Sequence, residues 1–231
     1  MFSFKLDGVD STSKGFKITR RPDIPSTAKD YEEHNIPGRD GALYEDLGTV
    51  QDIEIEVSCN YIAKPEEWGT RWRSIKKWLL TAHQFLVFSD DVDYCYRIKK
   101  IDLTTNERQV KYSGEFTVIF TVEGYLYLTS GQKQYSYSQV LKNDYEATYP
   151  VYYLTGQGNC VLTVNGNQCN CNVGGNLIID TYLRLTYRQD GTLRNTDIDA
   201  DYDDLKLIEG NNTITITNGI SLNIMPNWRC L

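Results

Sequence analysis

Histidine is scarce in this 231-residue chain: His34 and His83 are the only two. A Ser-His-Asp or Cys-His centre needs such a base. His34 stands in a polar stretch beside Glu32 and Glu33, and His83 follows a predicted helix, where its charge complements the helix dipole. The sequence holds no G-x-S-x-G, no H-E-x-x-H and no glycine-rich phosphate loop; Gly38 and Gly41 bracket a turn rather than open a helix. No catalytic residue, cofactor site or metal site is expected, and the residues point away from an enzyme. A run of 18 apolar residues is also lacking, which argues against a membrane helix or a membrane partner. The opening MFSFKLDGVDSTSKG carries Lys5 and Asp7 and has no apolar core of the signal-peptide kind.

Positive charge is in deficit. The chain has 24 Lys and Arg against 31 Asp and Glu, a net −7, so a nucleic-acid-gripping role is disfavoured. Six cysteines occur without any C-x-x-C. Cys169 and Cys171 form a C-x-C, which a strand would place on one face in a manner suited to a metal. Further ligands are missing nearby, and reduced, partly buried thiols are expected. Acidic clusters occur at Asp90, Asp91 and Asp93, and at Asp197, Asp199, Asp201, Asp203 and Asp204. An EF-hand loop starting at Asp197 or Asp199 fails, because its sixth and twelfth positions fall on Tyr202 and Ile208, or on Asp204 and Gly210. A solvated acidic loop is expected there, with a looser calcium loop left open. The abundant residue is tyrosine, with 17, which suits both strands and contact surfaces.

Patterning divides the chain into residues 1–130, a polar linker at 131–149, and residues 150–231. In the first part, residues 16–19 read as a short strand. A long polar stretch over 20–46 with Pro22, Pro25 and Pro37 reads as a functional loop or packing arm. Residues 48–57 alternate, with Ile53, Ile55 and Val57 on one face and Asp52, Glu54 and Glu56 on the other, predicting a half-buried strand. Residues 65–80 predict the one helix, with Trp68, Trp72, Ile75 and Leu79 as its packing stripe and Arg71, Arg73, Lys76 and Lys77 in solvent. Strands are expected at 85–88, 94–101 and 107–122. After Pro150 the pattern is entirely β, with strands at 151–154, 160–164, 177–179, 183–187, 213–217 and 220–224, and with hairpin turns at Asn165-Gly166 and Asn218-Gly219. The class is mainly β: a sheet or sandwich with one packed helix, then a smaller β-sandwich.

Several segments occur in a telling order: Ile36-Pro37-Gly38-Arg39-Asp40-Gly41 with Leu43-Tyr44, then Leu86-Val87-Phe88-Ser89-Asp90-Asp91, Asn106-Glu107-Arg108, Gly114-Glu115-Phe116-Thr117-Val118, and the ending Met225-Pro226-Asn227-Trp228-Arg229. In this succession the chain resembles the distal tail (Dit) proteins of siphophages. The resemblance implies a structural virion protein at the tail tip, assembled in the host cytoplasm. It would form a hexameric hub ring at the end of a long non-contractile tail, with an N-terminal belt domain building the ring and a galectin-like C-terminal β-sandwich. The implied partners are further copies of the chain, the tail tube protein and the tail-associated tip or lysin protein, with room for receptor-binding or adhesion proteins. DNA would pass through without specific binding. In some relatives the last strand returns to the N-terminal domain, which would carry Trp228 there. Galectin-type sugar binding does not transfer, because no histidine follows His83 and Trp228 is the only late tryptophan.

On this reading Arg20, Arg21, Ile36, Pro37, Gly38, Arg39, Asp40 and Gly41 are candidates for an inter-subunit arm. Asp52, Glu54 and Glu56 are candidates for an acidic channel lining. A stand-alone carbohydrate-binding β-sandwich is the alternative, and a glycosidase using the Asp clusters is a more distant one.

Overall fold

The structure, a computed structural model, describes residues 2–140, 142–217 and 219–231. It is mainly β with one α-helix. The chain divides into two compact units: one runs to Leu126 and includes Leu231, and the other is Tyr127–Cys230.

The first unit is organised by β1 (Phe4–Leu6), β2 (Val9–Asp10), β3 (Lys17–Ile18), β4 (Lys29–His34), β5 (Leu43–Val50), β6 (Ile53–Ile62), α1 (Trp68–Leu79), β7 (Phe85–Phe88), β8 (Tyr94–Leu103), β9 (Glu107–Val110) and β10 (Ser113–Leu128). The main sheet has the order β2-β1-β7-β8-β10-β6-β3, with β9 and the chain's last strand, residues 229–230, also on β10. Its central ladder is antiparallel, from Ser113 opposite Ile62 to Val122 opposite Ile53. Period-2 alternation builds the core. Ile53, Ile55, Val57, Cys59 and Tyr61 of β6 are buried with Phe116, Val118, Phe120 and Val122 of β10, while Glu54, Glu56 and Ser58 face out.

Helix α1 lies on that core. Ile75 and Leu79 are buried, Trp68 and Trp72 pack against the same cluster, and Arg71, Arg73, Lys76 and Lys77 are exposed. Trp78, outside the predicted stripe, also packs inward, stacked on Phe4 at 6.3 Å. The helix begins at Trp68 rather than residue 65, and Glu67 makes no side-chain cap.

The second unit holds β11 (Tyr135–Ser136), β12 (Lys142–Asn143), β13 (Val151–Val164), β14 (Asn167–Asp180), β15 (Leu185–Tyr187), β16 (Gly210–Asn211), β17 (Ile214–Ile216), β18 (Ser221–Met225) and β19 (Arg229–Cys230). Its principal sheet has the order β11-β18-β13-β14-β15, with β17 also on β13; β12 and β16 form a separate ladder. The expected strands 151–154 and 160–164 are one continuous strand, β13, and residues 177–179 are the end of the equally long β14. The sequence between the expected pieces looks like a turn because Gly156 and Gly158 fall in it. In the ladder, Gly158 takes φ +105 opposite Val173, a conformation open to glycine inside a strand. Asn165 (φ 52) and Gly166 (φ 90) close the β13–β14 hairpin. Asn218, half of the other expected turn, lies outside the described residues.

Residues 131–149 are not a free linker. Tyr135 and Ser136 pair with Ile224 and Asn223, Lys142 and Asn143 pair with Asn211 and Gly210, and Val140 belongs to the second core. Polar composition concealed this because short edge pieces bury little side chain. Trp228 also belongs to the second unit. Its carbonyl accepts from the Leu128 N–H (2.9 Å), and its ring lies 6.4 Å from that of Tyr145. The last strand does return, as the resemblance implies: β19 pairs with β10 of the main sheet, and Leu231 groups with the first unit.

Candidate functional site

The stretch 20–46 was expected to be an unstructured arm. Most of it is instead a two-stranded ribbon, β4 paired antiparallel with β5, which forms its own sheet. The reason it escapes a pattern reading is that it has no buried face: Lys29–His34 and Leu43–Val50 are exposed along nearly their whole length. Strands are recognised by alternation, and alternation requires one side to be hidden.

Its root is clamped to the end of β10. The Thr27 hydroxyl donates to the Gly124 carbonyl (2.6 Å), and the Gln51 N–H donates to the Ala28 carbonyl (2.9 Å). A Cβ at Gly124 would overlap the Gln51 carbonyl oxygen and meet Thr27 Cγ2 at 2.5 Å. The Gln51 bond also explains why the predicted strand 48–57 is broken: β5 ends at Val50 to serve the ribbon, and β6 starts at Ile53 to serve the core.

Along the ribbon, Lys29 pairs with Asp46 (3.2 Å), the Thr49 hydroxyl donates to Asp30 (2.7 Å), and Asp46 accepts from the Gly48 N–H (2.8 Å). The Gly48 bond, then Lys29, hold the Asp46 carboxyl below its ordinary range. Glu32 stands directly opposite Glu45, with His34 3.9 Å and 3.3 Å away from them. The tip is turned by an Arg39 N–H to Ile36 carbonyl bond (3.2 Å), with Gly38 at φ +81 and Gly41 at φ +76. Ile36, Pro37, Gly38, Arg39, Asp40 and Gly41 are all exposed there. Arg20 and Arg21 lie outside the ribbon, in the segment leading to it, where they pair with Asp23 and Asp90, each at 2.6 Å.

The ribbon and its lead-in expose several large apolar side chains among their acids. Ile24, Tyr31, Ile36, Leu43, Tyr44 and Leu47 are all between 44% and 61% accessible. Exposed apolar area beside open strand edges is the kind of feature that contact surfaces use.

The three candidate channel acids do not share one setting. Glu54 and Glu56 stand on the outer face of β6, opposite Thr121 and Ile119. Asp52 lies before the strand and pairs with Lys99 (2.8 Å). Lys100 is close by; its ammonium is held above the ordinary range by Asp102 and, more weakly, by Glu54.

Four of the five acids in the late cluster hold local structure, and Asp204 is exposed. Asp197 pairs with Arg188 (2.8 Å), and Asp199 accepts from the Asn170 N–H (2.7 Å) and side-chain amide (2.6 Å). Asp201 caps the Asp203 N–H (3.0 Å), and Asp203 pairs with Arg184. The C-x-C thiols do share one face, 3.6 Å apart and buried. None of the six cysteines is in a disulfide, and among the described residues no three potential metal ligands converge. A separate cavity of about 400 Å³ in the first unit, lined by Phe2, Arg21, Phe88, Asp90, Asp91, Tyr94 and Tyr96 among others, was not foreseen. Its aromatics come from the chain start and from β7 and β8, and only Asp90 and Asp91 were visible beforehand, as an acidic cluster.

No protein-family model and no curated protein sequence matches the chain. Among solved structures, the Dit protein of phage SPP1, described as a paradigm of the hub adsorption apparatus in phages infecting Gram-positive hosts, matches with a TM-score of 0.62 at 13% identity. The match covers 97% of each chain, so the fold of this chain is the Dit fold from end to end.

Proposed function

We propose that this chain is a Dit-type hub protein of a phage tail tip. The observation that carries the reading is the match over nearly the full length of both chains, both units included. The exposed ribbon supports it independently. A closed ring needs a heterologous interface, in which one surface of a chain meets a different surface of the next. An extended arm with open strand edges and exposed Tyr, Leu and Ile side chains is suitable material.

In this reading the first unit builds a six-membered ring, and the second is a galectin-like sandwich. The ring joins the tail tube to the tip or lysin protein and anchors the adhesion device in the virion. The chain acts as a scaffold, not as an enzyme. Glu54 and Glu56, with Asp52, line the channel and repel passing DNA. The exposure of Glu54 and Glu56 supports this, while Lys99 and Lys100 reduce the net negative field around them.

The test is solution mass by light scattering after size exclusion, followed by negative-stain imaging. Six chains of 26.6 kDa give about 160 kDa. A ring of six at that mass is the expected result. A monomer that persists at high concentration would overturn self-assembly, and a ring that holds duplex DNA at physiological salt would overturn the channel assignment.

A further inference from the structure

The cavity beside β7 and β8 has the chemistry of a guanidinium socket. Phe2 stacks on Phe88 (5.7 Å between centroids), and Tyr96 meets Phe88 edge-on at 6.1 Å. Asp90 and Asp91 supply carboxylates at its rim. The chain's own Arg21 already uses half of it, lying 5.2 Å over the Phe2 ring and 2.6 Å from Asp90. Asp91 is exposed and, among the described residues, makes no ion pair. An aromatic wall with an unneutralised carboxylate attracts a cation through both the ring face and the charge.

The ribbon tip offers the complement. Lys29, the other base of the ribbon, is committed to Asp46, whereas Arg39 is exposed and has no ion pair among the described residues. Beside it, Ile36 is 45% accessible and Pro37 is exposed. The tip therefore presents one guanidinium with two apolar neighbours, and the cavity presents one carboxylate with aromatic neighbours. The two lie on different parts of the same chain, as a heterologous interface demands.

We propose that the cavity at Phe88, Asp91, Tyr94 and Tyr96 receives the ribbon tip of a second copy of this chain, with Arg39 of that copy pairing to Asp91. The proposal rests on the ring reading above and specifies its junction. Charge complementarity sets partner and register, and the aromatic wall dehydrates the pair so that it contributes more than a surface ion pair.

The experiment is a charge swap read by light scattering on the full chain, with tryptophan fluorescence confirming that each variant is folded. Arg39→Glu and Asp91→Lys should each weaken the junction roughly thirtyfold or more and move the mass from ring to smaller species. The double variant R39E/D91K should restore the ring. If the wild-type chain itself never assembles, the ring reading fails first and this one with it. If the wild type forms a ring and both single variants keep it, the ring stands and the socket is wrong. If the single variants dissociate and the double variant does not recover, Arg39 and Asp91 act at the junction without meeting, and the pairing is overturned.

Discussion

Replacing Gly124 by alanine should loosen the ribbon root while leaving the rest of the core intact. Its backbone is not in the left-handed region, so the penalty is steric. The new Cβ would overlap the Gln51 carbonyl oxygen and press Thr27 Cγ2 at 2.5 Å. A backbone oxygen cannot swing aside as a flexible side chain does. Overpacking of this kind costs about 1–3 kcal/mol. Displacing Thr27 also strains its hydroxyl bond to the Gly124 carbonyl, about 1 kcal/mol more. The sum, about 2–4 kcal/mol, corresponds to a fall in melting temperature of roughly 4–16 °C.

Tryptophan fluorescence is the assay, because Trp68, Trp72 and Trp78 belong to the first unit and only Trp228 to the second. The control is the same chemical change at Gly69. There, in helix α1, a Cβ meets only the flexible Arg73 guanidinium at 3.3 Å, so alanine should stabilise by about 0.5–1 kcal/mol. Opposite signs are expected. A Gly124→Ala protein that melts within about 1 °C of wild type, with the Gln51 amide still protected from exchange, would refute the clamp.

Three further outcomes follow from the same geometry. Phe120 is fully buried and meets Phe4 edge-on at 5.3 Å, so Phe120→Ala should cost about 3–5 kcal/mol in denaturant unfolding. Asp46 is held below its ordinary range, so its contribution to ribbon order is present above the unfolded value and is lost as pH falls through the lower folded one. An NMR titration should place its midpoint below that of a model peptide and show Gly48 N–H exchange rising with it. Burial pushes the Cys59 and Cys95 thiols up to about 12, whereas Cys230 is only half-buried. Cys160, Cys169 and Cys171 are shielded by burial as well, so Ellman's reagent at neutral pH should modify Cys230 first and the other five only on unfolding.

Legibility followed burial. Where a strand has one hidden face, as at Ile53, Ile55 and Val57, alternation in the sequence locates it, and the helix is visible through the Trp68–Leu79 stripe. Segments that hide nothing, or whose partners are far away, were unreadable. Nothing in Lys29–His34 marks it as a strand, because the strand it pairs with is the equally exposed Leu43–Val50. The strand after Pro150, β13, reads as two pieces, 151–154 and 160–164, because glycine is ambiguous between turn and bent ladder. The aromatic cavity could not be anticipated either, since its lining comes from residues 2, 21, 88 and 96, whose proximity is a property of sheet order.

The same contrast bears on assembly. An isolated two-stranded ribbon is marginal in water, and this one adds a Glu32–Glu45 cross-strand pair of like charge. Its acids Asp30, Glu32, Glu33, Asp40, Glu45 and Asp46 outnumber Lys29 and Arg39, and its Tyr31, Leu43, Tyr44 and Leu47 side chains stand in solvent. Propensity and local ion pairs give such a ribbon little stability of its own. In the proposed ring, a neighbouring surface would cover the apolar side chains and neutralise part of the acid. Hydrogen exchange gives the discriminating reading. Ribbon amides other than those at the Gly124 root should exchange rapidly in a dissociated chain and become protected only in the assembled species. Equal protection in both would mean that the ribbon is ordered by its own contacts, and the argument from its exposure to assembly would fall.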